Sequence, residues 1–273
     1  MKSKRLSRRH FLKLGCASAS VIAVPSIIPA SALGAGERPA PSGRITLGFI
    51  GTGSQGIDMN LRNFLKNADA QVVAVCDVEP AHSRRACDMT NKHYKNSDCR
   101  EYRDFRDILG RGDIDAVCIS TPDHWHTPMS LMAIRAGKDV ICEKPTLTIH
   151  EGRVLTDAVR RHGAVFQTAT EDRSMFVHHR MAELVRNGRI GMLRTIRVSL
   201  PAGGSRNMTP VECRAEPIPE GFDYDMWLGP APYAPYCRAR CHFNFRWISD
   251  YSGGMLTDWG AHLFDTAQWA NDT

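Results

Sequence analysis

Short apolar runs alternate with amphipathic stretches along most of the chain. The first run is Ile45-Thr46-Leu47-Gly48-Phe49-Ile50. Others fall at Ala70–Asp77, Asp115–Ser120, Asp139–Cys142 and Ala164–Thr168, with a brief third strand over Cys99–Tyr102. Between them, polar-faced helical patterns cover Pro80–Tyr94, Phe105–Leu109, Thr127–Ala136 and Ile149–Arg161. Pro128 suits a first helical turn, and Gly137 and His162-Gly163 read as helix stops. Strand–helix alternation of this kind predicts a parallel sheet covered by helices through right-handed crossovers. After Ser174 the rhythm changes. Met175–Asn187 reads as a helix, Leu193–Leu200 as a half-solvated strand, and Asp258–Trp269 as a helix. The loop from Pro201 to Pro235 is too long for a simple connection and is expected to cover a site. A second domain is therefore placed from residue 174.

Directly after the first apolar run stands Gly51-Thr52-Gly53-Ser54-Gln55-Gly56, and Asp77 closes the next strand 26 positions beyond Gly51. Strand, glycine turn, helix and acid-ended strand form a dinucleotide-binding fingerprint. Gly51 permits the tight turn, Gly53 lets backbone approach a pyrophosphate, and Gly56 lets helix and strand pack closely. The helix N-terminus offers free N–H groups to phosphate. Ser54 and Gln55 belong to the same cradle. Asp77 is placed to bond the ribose hydroxyls, which favours NAD over NADP.

The first 32 residues read as an address. Ser7-Arg8-Arg9-His10-Phe11-Leu12-Lys13 resembles a twin-arginine export signal, a moderately apolar stretch follows to Ile28, and Ala30-Ser31-Ala32 suits cleavage. Residues 33–43 become a linker. The expectation is a periplasmic or otherwise exported protein that meets the twin-arginine translocase while folded, with its nucleotide already tightly held. The apolar segment is short for a membrane span and contains Pro25 and Pro29, so no stable anchor is expected. The net charge of +6 equals the six basic residues of 1–32, a segment with no acid. The remainder is formally neutral, and nothing points to nucleic acid. Of nine cysteines, Cys76, Cys118 and Cys142 lie in apolar strands. Cys213, Cys237 and Cys241-His242 fit no standard zinc spacing, so no metal site is expected.

Lys138-Asp139-Val140-Ile141-Cys142-Glu143-Lys144-Pro145 sets a charged pair and a proline just past a strand, where ligands of open parallel sheets bind. With Thr121-Pro122-Asp123-His124-Trp125-His126 and Asp258-Trp259-Gly260-Ala261-His262, this resembles the glucose–fructose oxidoreductase, inositol dehydrogenase and MocA family. The resemblance covers roughly residues 44–270. It implies an N-terminal Rossmann domain with a doubly wound parallel sheet (44–173), then an α/β domain with a mostly antiparallel sheet (174–273). It implies catalytic roles for Lys144, Asp258 and His262, and cofactor contacts from Thr121, Pro122, His126, Glu143 and Lys144. Asp123 stands where many members carry asparagine. Members usually run well past 300 residues, so the chain reads as an N-terminal fragment with an incomplete second domain, its parent a homo-oligomer.

Aromatic residues crowd the stretch before Asp258: Trp227, Tyr233, Tyr236, Phe243, Phe245, Trp247 and Tyr251. Sugar C–H faces stack on such rings, which makes Arg246, Trp247 and Tyr251 candidate substrate contacts, with Asn244 and Asp250 near them. His124 and His126 line the nicotinamide end or are tied up structurally, and His178-His179 read as structural. The expected function is NAD-dependent oxidation of a secondary alcohol on a sugar, glycoside or polyol. The alternative is a glycosidase that oxidises its sugar transiently and eliminates the aglycone.

Overall fold

The computed structural model describes residues 39–200 and 213–272. The twin-arginine segment, most of the linker and the first part of the Pro201–Pro235 loop lie outside the described residues. The chain divides into two compact units, Met1–Gly43 and Arg44–Thr273. Of the first, a single turn, Pro41–Gly43, is described.

The second unit is built on a six-stranded parallel sheet. Its strands are β1 (Ile45–Ile50), β2 (Ala70–Cys76), β3 (Arg100–Tyr102), β4 (Ala116–Ile119), β5 (Asp139–Cys142) and β6 (Phe166–Thr168). Their order is β3-β2-β1-β4-β5-β6. β1 pairs with β2 on one side and β4 on the other, so the winding reverses there and opens a crevice at the carboxyl ends of the strands. The central strands β1, β2 and β4 are mostly apolar because helices cover both faces, whereas the edge strands β3 and β6 are more polar and more exposed. Ile50, Ala74, Ile119 and Cys142 pack with Ile108, Met129 and Leu155. Phe49, Val72, Val75 and Cys118 pack with Ile57, Leu61 and Ala86.

The helix after the glycine turn, α1, has the wide π pitch over Gln55–Leu61 before an α-helical turn, Arg62–Phe64. Then come α2 (Pro80–Tyr94), α3 (Phe105–Leu109), α4 (Asp123–Arg135) and α5 (Ile149–His162). α5 opens on a reciprocal cap. Thr148 Oγ1 accepts from the Glu151 N–H, while Glu151 accepts from the Thr148 N–H. Beyond β6 follow α6 (Phe176–Arg186), α7 (Tyr224–Leu228) and α8 (Met255–Ala270). α6 packs on α8, with His179 against Trp269 and His178 beside Thr266.

Two expectations are corrected. α4 starts at Asp123, not near Thr127. Pro122 caps it at ψ 154, and Pro128 falls inside the helix. Burial of Asp123, His124, His126 and Thr127 on this first stretch outweighs the local preference for proline in the first turn. Leu193–Leu200 is not a strand, because no other described strand lies beside it to complete a ladder. Among the described residues the only sheet is the parallel one.

A third core lies beyond the sheet. Phe222, Tyr224, Trp227, Tyr236, Phe245 and Tyr251 pack together beneath α7 and the turn His242–Trp247. Hydrogen bonds to backbone carbonyls fasten this cover to the sheet domain. The Asp223 N–H donates to the Val78 carbonyl at 3.0 Å, and Trp125 Nε1 donates to the Met226 carbonyl at 2.9 Å. No described helix is long and apolar enough to cross a membrane.

Candidate active site

Between the strand ends and this cover runs a cleft of about 1030 Å³. The glycine turn forms one wall, and each glycine has a distinct reason. Gly51 sits at φ 85, and a Cβ there would stand 2.7 Å from the Ser120 backbone. A Cβ on Gly56 would stand 2.2 Å from the Gly51 carbonyl oxygen. Both are required by the fold itself, and Gly56 does not line the cleft. A Cβ on Gly53 would meet nothing within 4 Å. The fold does not need glycine at that position. The bare backbone instead leaves room for a group lying against it, together with Ser54 and Gln55.

Asp77 directly follows β2 at the same wall. Its Oδ2 accepts from the Thr52 N–H at 2.7 Å and from the Thr52 hydroxyl at 3.2 Å. Its Oδ1 accepts from the Glu79 N–H at 2.9 Å. The carboxylate therefore pins the glycine turn to the strand end while still facing the cleft. An open backbone cradle at a helix start, with a carboxylate beside it, fits the pyrophosphate and ribose of a dinucleotide.

The opposite end is charged. Lys144, just past β5, directs its ammonium to Asp258 on α8: 2.6 Å to Oδ1 and 3.2 Å to the backbone carbonyl. Arg246 Nε stands 3.5 Å from the other oxygen of Asp258. His262, one turn along α8, lines the cleft with an Nδ1 that is shielded from solvent and makes no hydrogen bond. Asp258 thus holds Lys144 rather than orienting the imidazole. Glu143 is buried, and its Oε1 accepts from Asn60 at 2.9 Å and Gln55 at 3.2 Å, locking the strand end to α1. The ring nitrogens of His126 bond the Thr121 carbonyl at 2.8 Å and the Pro145 carbonyl at 2.7 Å. His126 therefore ties together the two loops that carry Pro122 and Lys144.

Sequence reasoning passed over Glu171, which lines the cleft; burial first, then the Glu143 charge, pushes its carboxyl above the ordinary range. Burial likewise raises Asp123, opposed by the charges of His126, Lys144 and Arg246. Asp123 belongs to the Thr121–His126 motif read from the sequence, whereas no local pattern singles out Glu171. Of the candidate substrate contacts, Arg246 and Trp247 line the cleft. Tyr251 does not: it is fully buried against Trp227 and His124 and accepts from Arg240. Its ring is core, because a sugar-stacking aromatic and a packing aromatic look alike in sequence. His124 is also core, its Nε2 bonded to the Trp227 carbonyl at 3.0 Å. Phe243 lines the cleft, whereas Tyr233 is exposed away from it.

The glycine cradle of the Rossmann sheet thus shares one cleft with a lysine, an aspartate and a histidine. The chain belongs to the Gfo/Idh/MocA oxidoreductase family. Residues 45–170 match its NAD-binding Rossmann fold, and residues 177–272 match its C-terminal alpha/beta domain. Among curated relatives, a glycosyl hydrolase family 109 protein of Shewanella pealeana is 30% identical over 176 residues, covering 58% of this chain and 38% of that protein. An alpha-N-acetylgalactosaminidase of Shewanella oneidensis is 30% identical over 177 residues, covering 57% and 37%. The chain thus spans well under half the length of these relatives. A solved structure of scyllo-inositol dehydrogenase from Lactobacillus casei, with bound NAD(H) and scyllo-inositol, is similar at 29% identity. Its TM-score is 0.48, over 54% of this chain and 42% of that one.

Proposed function

We propose that this protein oxidises a secondary alcohol of a sugar, glycoside or polyol, using a tightly held NAD. The observation that carries this reading is the Lys144–Asp258 pair at 2.6 Å, with the unbonded Nδ1 of His262 in the same cleft as the glycine cradle. When bound, NAD supplies the hydride acceptor. The chain's residues manage the proton and the charge. An ammonium has three donors, and Lys144 directs its nitrogen at two oxygens of Asp258. The remaining donor is available to a substrate oxygen, where it stabilises developing alkoxide charge. His262 Nδ1 accepts the hydroxyl proton, as an imidazole suits near neutral pH. Arg246 and Trp247 offer a charged donor and an apolar face to the rest of the substrate.

A second reading has specific support in the two relatives named as glycosidases. Oxidation of a carbinol to a ketone acidifies the neighbouring C–H, so the same cleft can serve elimination of an aglycone. Assay of the purified protein with a panel of alcohols and glycosides separates the two. Net NADH accumulation supports the dehydrogenase. Cleavage without net NADH supports the glycosidase. No turnover of any carbohydrate, with NAD bound, contradicts both.

Export by the twin-arginine route belongs to the same proposal, since a protein that carries its nucleotide outward must fold first. Changing Arg8 and Arg9 together to Lys keeps the charge and removes the guanidinium forks. Precursor should then accumulate inside the cell in a fractionation assay. Undiminished export of that variant would refute the route.

A further inference from the structure

We propose that Glu79, His82 and His242 form a binding site for a divalent transition-metal ion of the zinc class. Each residue offers one ligand atom, and all three atoms lie within 4.8 Å of one another. Glu79 caps α2 and His82 lies three residues on, so both side chains share one helix face. His242 arrives from the cover, at φ 55, a backbone conformation that non-glycine residues seldom adopt.

The spacing decides between an ion pair and a ligand set. Glu79 Oε2 stands 3.7 Å from His82 Nε2 and 3.7 Å from His242 Nδ1. Those separations are too long for hydrogen bonds. Two ligands with bonds of about 2.1 Å in a tetrahedron stand about 3.4 Å apart, close to the distances observed. Glu79 Oε2 is also shielded from solvent and makes no hydrogen bond, an expensive state for a carboxylate oxygen that an ion would relieve. Behind the ligands, His82 Nδ1 faces Asp77 Oδ1 at 3.6 Å, the carboxylate-behind-histidine arrangement that fixes ring orientation at metal centres. Two imidazoles and one carboxylate suit zinc, with a fourth position left for water. Glu79, His82 and His242 line the cleft at the end that Asp77 occupies, and the ion would fasten the cover to the start of α2 there.

Titration of the chelator-treated protein with Co²⁺ tests this without reference to catalysis. One equivalent should bind with a visible d–d spectrum and no thiolate charge-transfer band, and Zn²⁺ should abolish the spectrum. His82→Ala and His242→Asn should each weaken Co²⁺ binding by roughly 100-fold, at the upper end of losses seen when a metal site's support is removed. Asparagine tolerates the left-handed backbone at 242, and Glu79→Gln gives a third variant that preserves shape. Circular dichroism and melting in chelator establish that each variant is folded. No spectral change under excess Co²⁺, unaltered affinity in folded variants, or a thiolate band that places the ion on cysteines would overturn the proposal.

Discussion

His124 is sealed between Trp227 and Tyr251, and burial lowers its pKa to about 4. An unfolded chain returns it to the ordinary value near 6.5. Between those values the unfolded state takes up a proton that the folded state refuses. Stability is therefore full above pH 6.5 and falls as the pH drops toward 4. The loss from this residue between pH 7.5 and 5 should be on the order of 2 kcal/mol. Urea denaturation at both pH values, repeated for His124→Asn, measures it; an equal loss in the variant would remove His124 as its source. Asp77 carries two duties, pinning the glycine turn and facing the cleft. Asp77→Ala should lose roughly 1–3 kcal/mol of preference for NAD over NADP, the scale of a charged hydrogen bond. It should also lower the melting temperature, because the Thr52 N–H is left without its acceptor. Fluorescence titration with both cofactors checks the first effect, and calorimetry the second. Tighter NADP binding by the unchanged protein would contradict the assignment.

At the scale of elements, the glycine turn separates fold from ligand within six residues. Gly56→Ala places a methyl against the Gly51 carbonyl and should cost roughly 1–3 kcal/mol of stability, as overpacking does. Gly53→Ala meets no protein atom and should melt like the parent, yet bind NAD roughly tenfold or more weakly, since the methyl occupies the phosphate's place. Equal NAD affinity in a folded Gly53→Ala protein would show that nothing lies against that backbone. The turn, the strands and α2 were legible in sequence because glycine sterics and apolar periodicity are local. Lys144 was legible because it directly follows a strand. The start of α4 was not, since burial of its first turn depends on Trp227 and Tyr251, more than 100 residues away. Leu193–Leu200 misled for a related reason: alternation marks a segment able to form a strand, but a strand exists only beside a partner.

In the molecule as a whole, function is a matter of placing two remote pieces across one cleft. Lys144 comes from the sheet, and Asp258 and His262 come from the last helix. Their meeting depends on the cover being fastened through α4 and Val78. The pairing of Asp258 with Lys144 and Arg246, and the part Glu171 plays, became visible only from this assembly. On the proposed function, these residues perform proton and charge chemistry while the glycine turn and Asp77 hold the nucleotide. Single-turnover reduction of bound NAD, followed by absorbance with a confirmed alcohol substrate, tests it in Lys144→Ala and His262→Ala. Each variant should slow the chemical step by roughly 10²-fold or more while NAD affinity changes little. Near-normal rates in both variants, or a loss of rate that merely follows a loss of NAD binding, would contradict the account.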